Sequence, residues 1–158
     1  MTEVERILDQ LKRAYTGEAW HGPAVAEILT GTTAQQAATH PFNEAHSIWE
    51  IVLHIAAWMQ ACRRRLEGDR AQLTDAEDWP RVISSDDPAW QAAKEAMTEA
   101  YDQLLSSISL LDDSRLNQPI IEGLSSVYVT LHGVIQHTLY HAGQIAIMKK
   151  AISERQTA

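Results

Sequence analysis

One cysteine, Cys62, stands in 158 residues, and a single thiol cannot staple a fold. A reducing compartment is the expected home. Basic residues are also in short supply. Lys and Arg number 13 against 21 acids, a formal net charge of −8, and the pI is about 5.3. Binding to a phosphate backbone needs a concentrated basic patch, so nucleic acid is excluded as a main partner. A small-molecule substrate or a protein partner is expected instead. No apolar run approaches the length that spans a bilayer, so no membrane role is expected. The opening stretch, MTEVERILDQLKRAY, is charged and lacks the uninterrupted apolar core of a signal peptide. These readings place the protein in the cytoplasm. No segment alternates with period two, and there is no internal repeat or low-complexity tract.

What the chain does have is helical spacing. Hydrophobic residues make up 45%, enough for one core, and 1–158 reads as a single domain. A first helix is expected from about Thr2 to Thr16 on Val4, Ile7, Leu8, Leu11 and Tyr15, with Gly17 as its stop. A short helix ends near Leu29, and a connector with one helical turn follows. The second long helix starts at Ser47, which has capping-box spacing to Glu50. Its stripe is Ile48, Ile51, Val52, Ile55, Trp58 and Met59, and Gly68-Asp69 ends it. Cys62 to Arg65, CRRR, falls in the last turns, where the helix dipole favours cations. A solvated basic end is the preferred reading there, and a substrate-anion site is the alternative. Residues 70–87 form a polar connector with Trp79-Pro80. The third helix is expected to be capped by Asp87, with Pro88 as its first residue, and to run to about Leu110. The last runs from about Val129 to Ile152. The sum is an all-α four-helix bundle with long connectors after helices one and two. Loops of that length often cover a functional site.

The last helix carries HTLYHAGQI. His137 and His141 are four apart, hence about 40° and about 6 Å from each other on one face, a spacing that can grip one divalent metal. The pair alone is a weak signal. It is not the zincin motif, because Thr138 stands where the catalytic glutamate would be. His54 lies in IWEIVLHIAAW, close to the buried face of helix two. A buried histidine needs partners for both ring nitrogens, and three inward histidines in one bundle core point to a shared metal.

With these two motifs on the page, the chain resembles the DinB-like (damage-inducible protein) superfamily of metal-binding four-helix bundles. HSIWEIVLHIAAW and HTLYHAGQI carry the resemblance; AWHGPAVAEIL and DWP also look like one branch of it. The resemblance implies a three-histidine site at His54, His137 and His141. It also implies a divalent ion (zinc, nickel or iron) and a homodimer. Relatives include thiol transferases that use bacillithiol, a mycothiol-dependent isomerase and a domain of ergothioneine-making enzymes.

Other residues draw attention. His21, in WHGP, reads as a surface residue, with a position facing the metal cavity as the alternative. Glu50, one turn before His54, is expected to close the capping box; turned inward, it would be a general base. Gln144 is placed to orient a ligand histidine or simply to pack. Tyr140 is a candidate proton donor, with core packing the plainer role. His46 suits a capping or mouth position, His132 another face, and His40 an exposed loop. Cys62 is read as off the site. The tryptophans are expected as core and loop anchors, with one or two walling a cavity. Three neutral histidines leave a coordination position open. The first functional reading is therefore a metal-dependent enzyme, a hydrolase or a low-molecular-weight thiol S-transferase. The alternatives are a non-catalytic metal- or small-ligand-binding stress-related bundle, and a bundle whose histidines are incidental.

Overall fold

In the computed structural model, which describes residues 1–157, the long helices are α1 (Glu3–Tyr15), α4 (Ile48–Leu66), α6 (Asp87–Ser109) and α7 (Val127–Thr157). Three short helices lie in the connectors: α2 (Val25–Leu29), α3 (Ala34–Ala38) and α5 (Asp75–Asp78). A 3-10 turn covers Asp113–Arg115. No strand forms among the described residues, only an isolated bridge between Pro119 and Ser126. The chain is an all-α bundle.

Side-chain caps set the helix starts. Ser47 accepts from the Glu50 amide at 3.2 Å and Glu50 accepts from the Ser47 amide at 2.7 Å, so both otherwise orphaned N–H groups are satisfied. Thr2 and Glu5 do the same for α1, and Asp113 reaches in to accept from the Glu3 and Val4 amides, each at 2.9 Å. Two expected boundaries shift for the same reason. Asp86, not Asp87, caps α6, accepting from the Ala89 amide at 2.8 Å. Asp87 is then the first helical residue, with Pro88 after it. The last helix begins at Val127 rather than Val129, because the Ser126 hydroxyl accepts from the Val129 amide at 3.3 Å. It also runs past Ile152 to Thr157. Gly68, at φ +93, supplies the left-handed residue that closes α4.

Around the bundle, α4 packs on α6 and α7, and α1 packs on the same two. Consecutive long helices α1 and α4 therefore lie across the bundle from each other, as do α6 and α7. The connectors after α1 and after α6 are crossovers. Helices α4 and α6 are neighbours, so the connector between them is longer than the join requires, and its surplus carries α5 against α4. The core they enclose includes Ile7, Leu11, Ile51, Ile55, Met59, Met97, Leu104, Leu131 and Ile145, each no more than 2% exposed. Tyr15 and Tyr101 stack at 4.1 Å, tying α1 to α6. Trp49 and Trp90 are buried together, and the Trp90 indole donates to the Thr32 carbonyl at 2.8 Å.

Candidate metal centre

His54 comes from the middle of α4, and His137 and His141 from successive turns of α7. Their Nε2 atoms converge. His137 Nε2 lies 2.9 Å from His54 Nε2 and 3.2 Å from His141 Nε2. One ligand atom from each of the three lies within 4.8 Å of the others, a group able to hold a metal ion. His54 and His141 are each 5% exposed.

The outer nitrogens decide which protons are present. His54 Nδ1 sits 2.7 Å from the Asp78 carbonyl oxygen and 3.0 Å from its carboxylate. A carbonyl only accepts, so Nδ1 carries a hydrogen, and in the neutral ring Nε2 is then the bare nitrogen. His141 Nδ1 faces Gln144 Oε1 at 2.6 Å, which fixes the same tautomer. Two bare lone pairs thus point at the third imidazole, and a single N–H on His137 cannot lie along both directions. A cation satisfies all three. With metal–nitrogen bonds of about 2.0–2.1 Å, neighbouring ligand nitrogens sit about 2.9 Å apart in an octahedron and about 3.3 Å apart in a tetrahedron. Two of the three pairs, at 2.9 and 3.2 Å, fall in that interval and all lie within 4.8 Å of one another, which suits a divalent ion.

The electrostatics agree. Burial, with the two neighbouring imidazoles, pulls the pKa of His137 down from 6.5 to about 4. Burial also lowers that of His141. His137 is therefore neutral at pH 7, the state a ligand needs.

Aromatic rings close the site. The Trp79 indole lies flat on His54 at 3.8 Å, and His46 lies flat on the other face of Trp79 at 3.5 Å. Trp58 donates its indole N–H to the Asp78 carboxylate at 2.6 Å. Beside His137, between α4 and α7, opens a cavity of about 290 Å³ that includes Trp58, Cys62, Arg65 and Gly133 in its wall.

The other sequence candidates separate clearly. Gln144 holds a ligand histidine. Glu50 spends its carboxylate on the Ser47 amide, His40 at 3.0 Å and His46 at 3.7 Å, which is the capping role. His21 is exposed and lines depressions with Leu139, a residue about 160–200° round α7 from the two ligand histidines. Tyr140 is 66% exposed rather than core, with its ring 5.2 Å from that of His141. His132 is off the cluster, 4.3 Å from Tyr128. Trp20 is fully exposed, against the expected anchor role. Cys62 stays outside the histidine cluster but lines the adjoining cavity, nearer the site than expected. Burial pushes its thiol up to about 12. Trp58 and Trp79 are the tryptophans that wall the site, whereas Asp78, marked in the sequence only by the DWP motif, fixes His54 from its outer side.

An all-α bundle that carries a tris-histidine cluster between two of its long helices is the molecule's class. The chain belongs to the DinB superfamily, whose family profile matches residues 19–145. Among solved structures it is similar to a conserved protein from Enterococcus faecalis. The identity is 16%, the TM-score is 0.74, and the match covers 98% of this chain and 99% of that one. That likeness speaks for the fold. No curated protein matches the chain.

Proposed function

We propose that this chain is a divalent-metal enzyme acting on a small molecule, as a hydrolase or a low-molecular-weight thiol S-transferase. His54, His137 and His141 are its ligands, and zinc, nickel or iron is its ion. The carrying observation is the convergence of bare imidazole nitrogens beside an open cavity. When bound, the ion supplies Lewis acidity and a free position that favours an anionic ligand, since all three protein ligands are neutral. The chain's own residues do the rest. Asp78 and Gln144 orient two of the ligands from behind. Trp79 covers the face of His54 and keeps water off it. Glu50 and Tyr140 stand outside this arrangement; Tyr140, edge-on to His141, is the candidate proton donor.

Elemental analysis of the purified protein tests the site. One metal per chain is expected in the wild type and none in His137→Ala. Turnover, screened with thiol cofactors and with simple esters and amides, is expected to vanish with chelator and return with added metal. It is expected to survive Cys62→Ser, because that thiol is buried and protonated. Activity that persisted in metal-free protein would place the chemistry elsewhere. Metal binding without turnover on any substrate would favour the non-catalytic reading.

The proposal includes a homodimer, which light scattering at micromolar concentration tests; a monomer there refutes it. It also includes a cytoplasmic location, supported by the single buried thiol. No helix among the described residues is long and apolar enough to cross a membrane.

A further inference from the structure

We propose that the groove between α4 and α7 binds a small aliphatic carboxylic acid, its carboxylate held by Arg65 and its far end presented to His137. The assignment rests on the site proposed above, since it makes this groove the approach to the histidines.

Three arginines end α4, and two are spoken for. Arg64 pairs with Asp69 at 2.6 Å at the surface, and Arg63, half-buried, pairs through Nη1 with Glu67 at 2.9 Å, its Nε buried without a partner among the described residues. Arg65 differs. Its Nε donates to the Ala71 carbonyl at 2.9 Å, which anchors the guanidinium. Its central carbon stands 5.6 Å from the Trp58 ring centroid. Among the described residues no carboxylate pairs with it, and neither Nη donates to a protein acceptor. The two Nη groups are left as a planar fork, the geometry that grips a carboxylate through two bonds.

The wall between that fork and the metal cluster is mostly apolar, with Ser125 and Thr130 as its polar members. His54, Trp58, Cys62 and Arg65 lie on one stripe of α4. The same Trp58 ring that faces Arg65 lies 6.0 Å from the His137 ring. A single indole therefore spans the interval from cation to imidazole. The buried Cys62 thiol and the Val129 side chain extend that wall. Helix α7 contributes Gly133. A glycine inside a helix weakens it relative to alanine, so its presence calls for a reason. No neighbour demands it, because a Cβ there would meet nothing within 4 Å. What the missing side chain provides is room in the cavity. An apolar slot of about 290 Å³ with one unpaired cation at one end suits a chain of several methylenes with a single negative terminus.

Calorimetric titration of the full-length protein, zinc-loaded and chelator-treated, tests this with octanoate, acetate and octylamine. Octanoate is expected to bind, acetate at least tenfold more weakly because it cannot cover the indole, and octylamine not at all. Arg65→Met is expected to weaken octanoate by tenfold or more. Gly133→Leu is expected to abolish octanoate binding by filling the slot, while keeping the wild-type metal content and a melting temperature no lower than that of the wild type. Equal octanoate affinity in Arg65→Met would overturn the assignment. So would octylamine binding as tightly as octanoate, or wild-type protein that takes up no octanoate. Arg65-dependent octanoate binding in a protein that takes up no zinc would leave the groove standing and sink the metal site.

Discussion

A neutral imidazole is a ligand only where one nitrogen is bare, and at this cluster two oxygens fix that condition. The Asp78 carbonyl and Gln144 Oε1 each hold an Nδ1 hydrogen, which turns the Nε2 lone pairs inward. Without metal, the arrangement has a cost that depends on pH. The pKa of His137 is depressed from 6.5 to about 4, first by burial and then by the two imidazoles facing it. The unfolded chain takes up the proton near pH 6.5, and the folded chain resists it until about pH 4. Between those values the unfolded state binds more protons, so stability rises with pH. The contribution is complete above pH 6.5 and lost as pH falls toward 4. His141 is shifted in the same direction and adds to it. Urea unfolding of chelator-treated protein across this window is expected to show the slope, and His137→Ala a shallower one. A flat profile in the wild type would mean the cluster is open to water.

At the scale of elements, the connector between α4 and α6 depends on the cluster. Helix α5 is only four residues long, too short to persist without tertiary support. Much of its support comes from the His54 ring, on which Trp79 stacks and from which Asp78 accepts, with Trp58 donating to the Asp78 carboxylate beside it. A bound ion fixes that ring from the opposite nitrogen. Amide hydrogen exchange over residues 74–80 is therefore expected to slow on metal binding, with the far connector at residues 30–40 unchanged. Identical exchange with and without metal at 74–80 would show that the connector is indifferent to the site. This dependence also explains what could be read in the sequence. Capping box, helical stripes and the four-residue histidine spacing are local, and each sits within one or two turns of one helix. Asp78 acts mainly through its backbone carbonyl, which every residue type carries, so no side-chain pattern marks it. Helical spacing puts Arg65 about 20° round α4 from His54, against about 180° for Arg63 and about 80° for Arg64, but spacing alone does not show that a cavity lies there. Which one meets a cavity depends on where α7 lies. The Asp86–Asp87 pair is similar: either carboxylate can cap, and the path of the incoming chain selects Asp86.

For the whole molecule, a metal at this point joins α4 to α7. His54 meets His137, and the later α4 residues Trp58, Cys62 and Arg65 share a cavity with the earlier α7 residues Gly133 and Val129, so the two helices run antiparallel. Between His54 and His137 the chain makes all of α6 and a crossover, so the unfolded protein holds its third ligand far from the other two. Only the folded bundle presents the complete set. An ion that binds the native state and not the unfolded one stabilises by about 2.7 kcal/mol at a hundredfold excess over its dissociation constant. In a domain of this size each kcal/mol moves the melting temperature by about 2–4 °C. Zinc at that excess is therefore expected to raise the midpoint by roughly 5–10 °C, and chelator to reverse the shift. His137→Ala keeps the His54 and His141 rings but breaks the set, so its midpoint is expected to ignore zinc. A rise of the same size in that variant would mean that the ion binds elsewhere, and the three imidazoles would then be only a buried polar cluster.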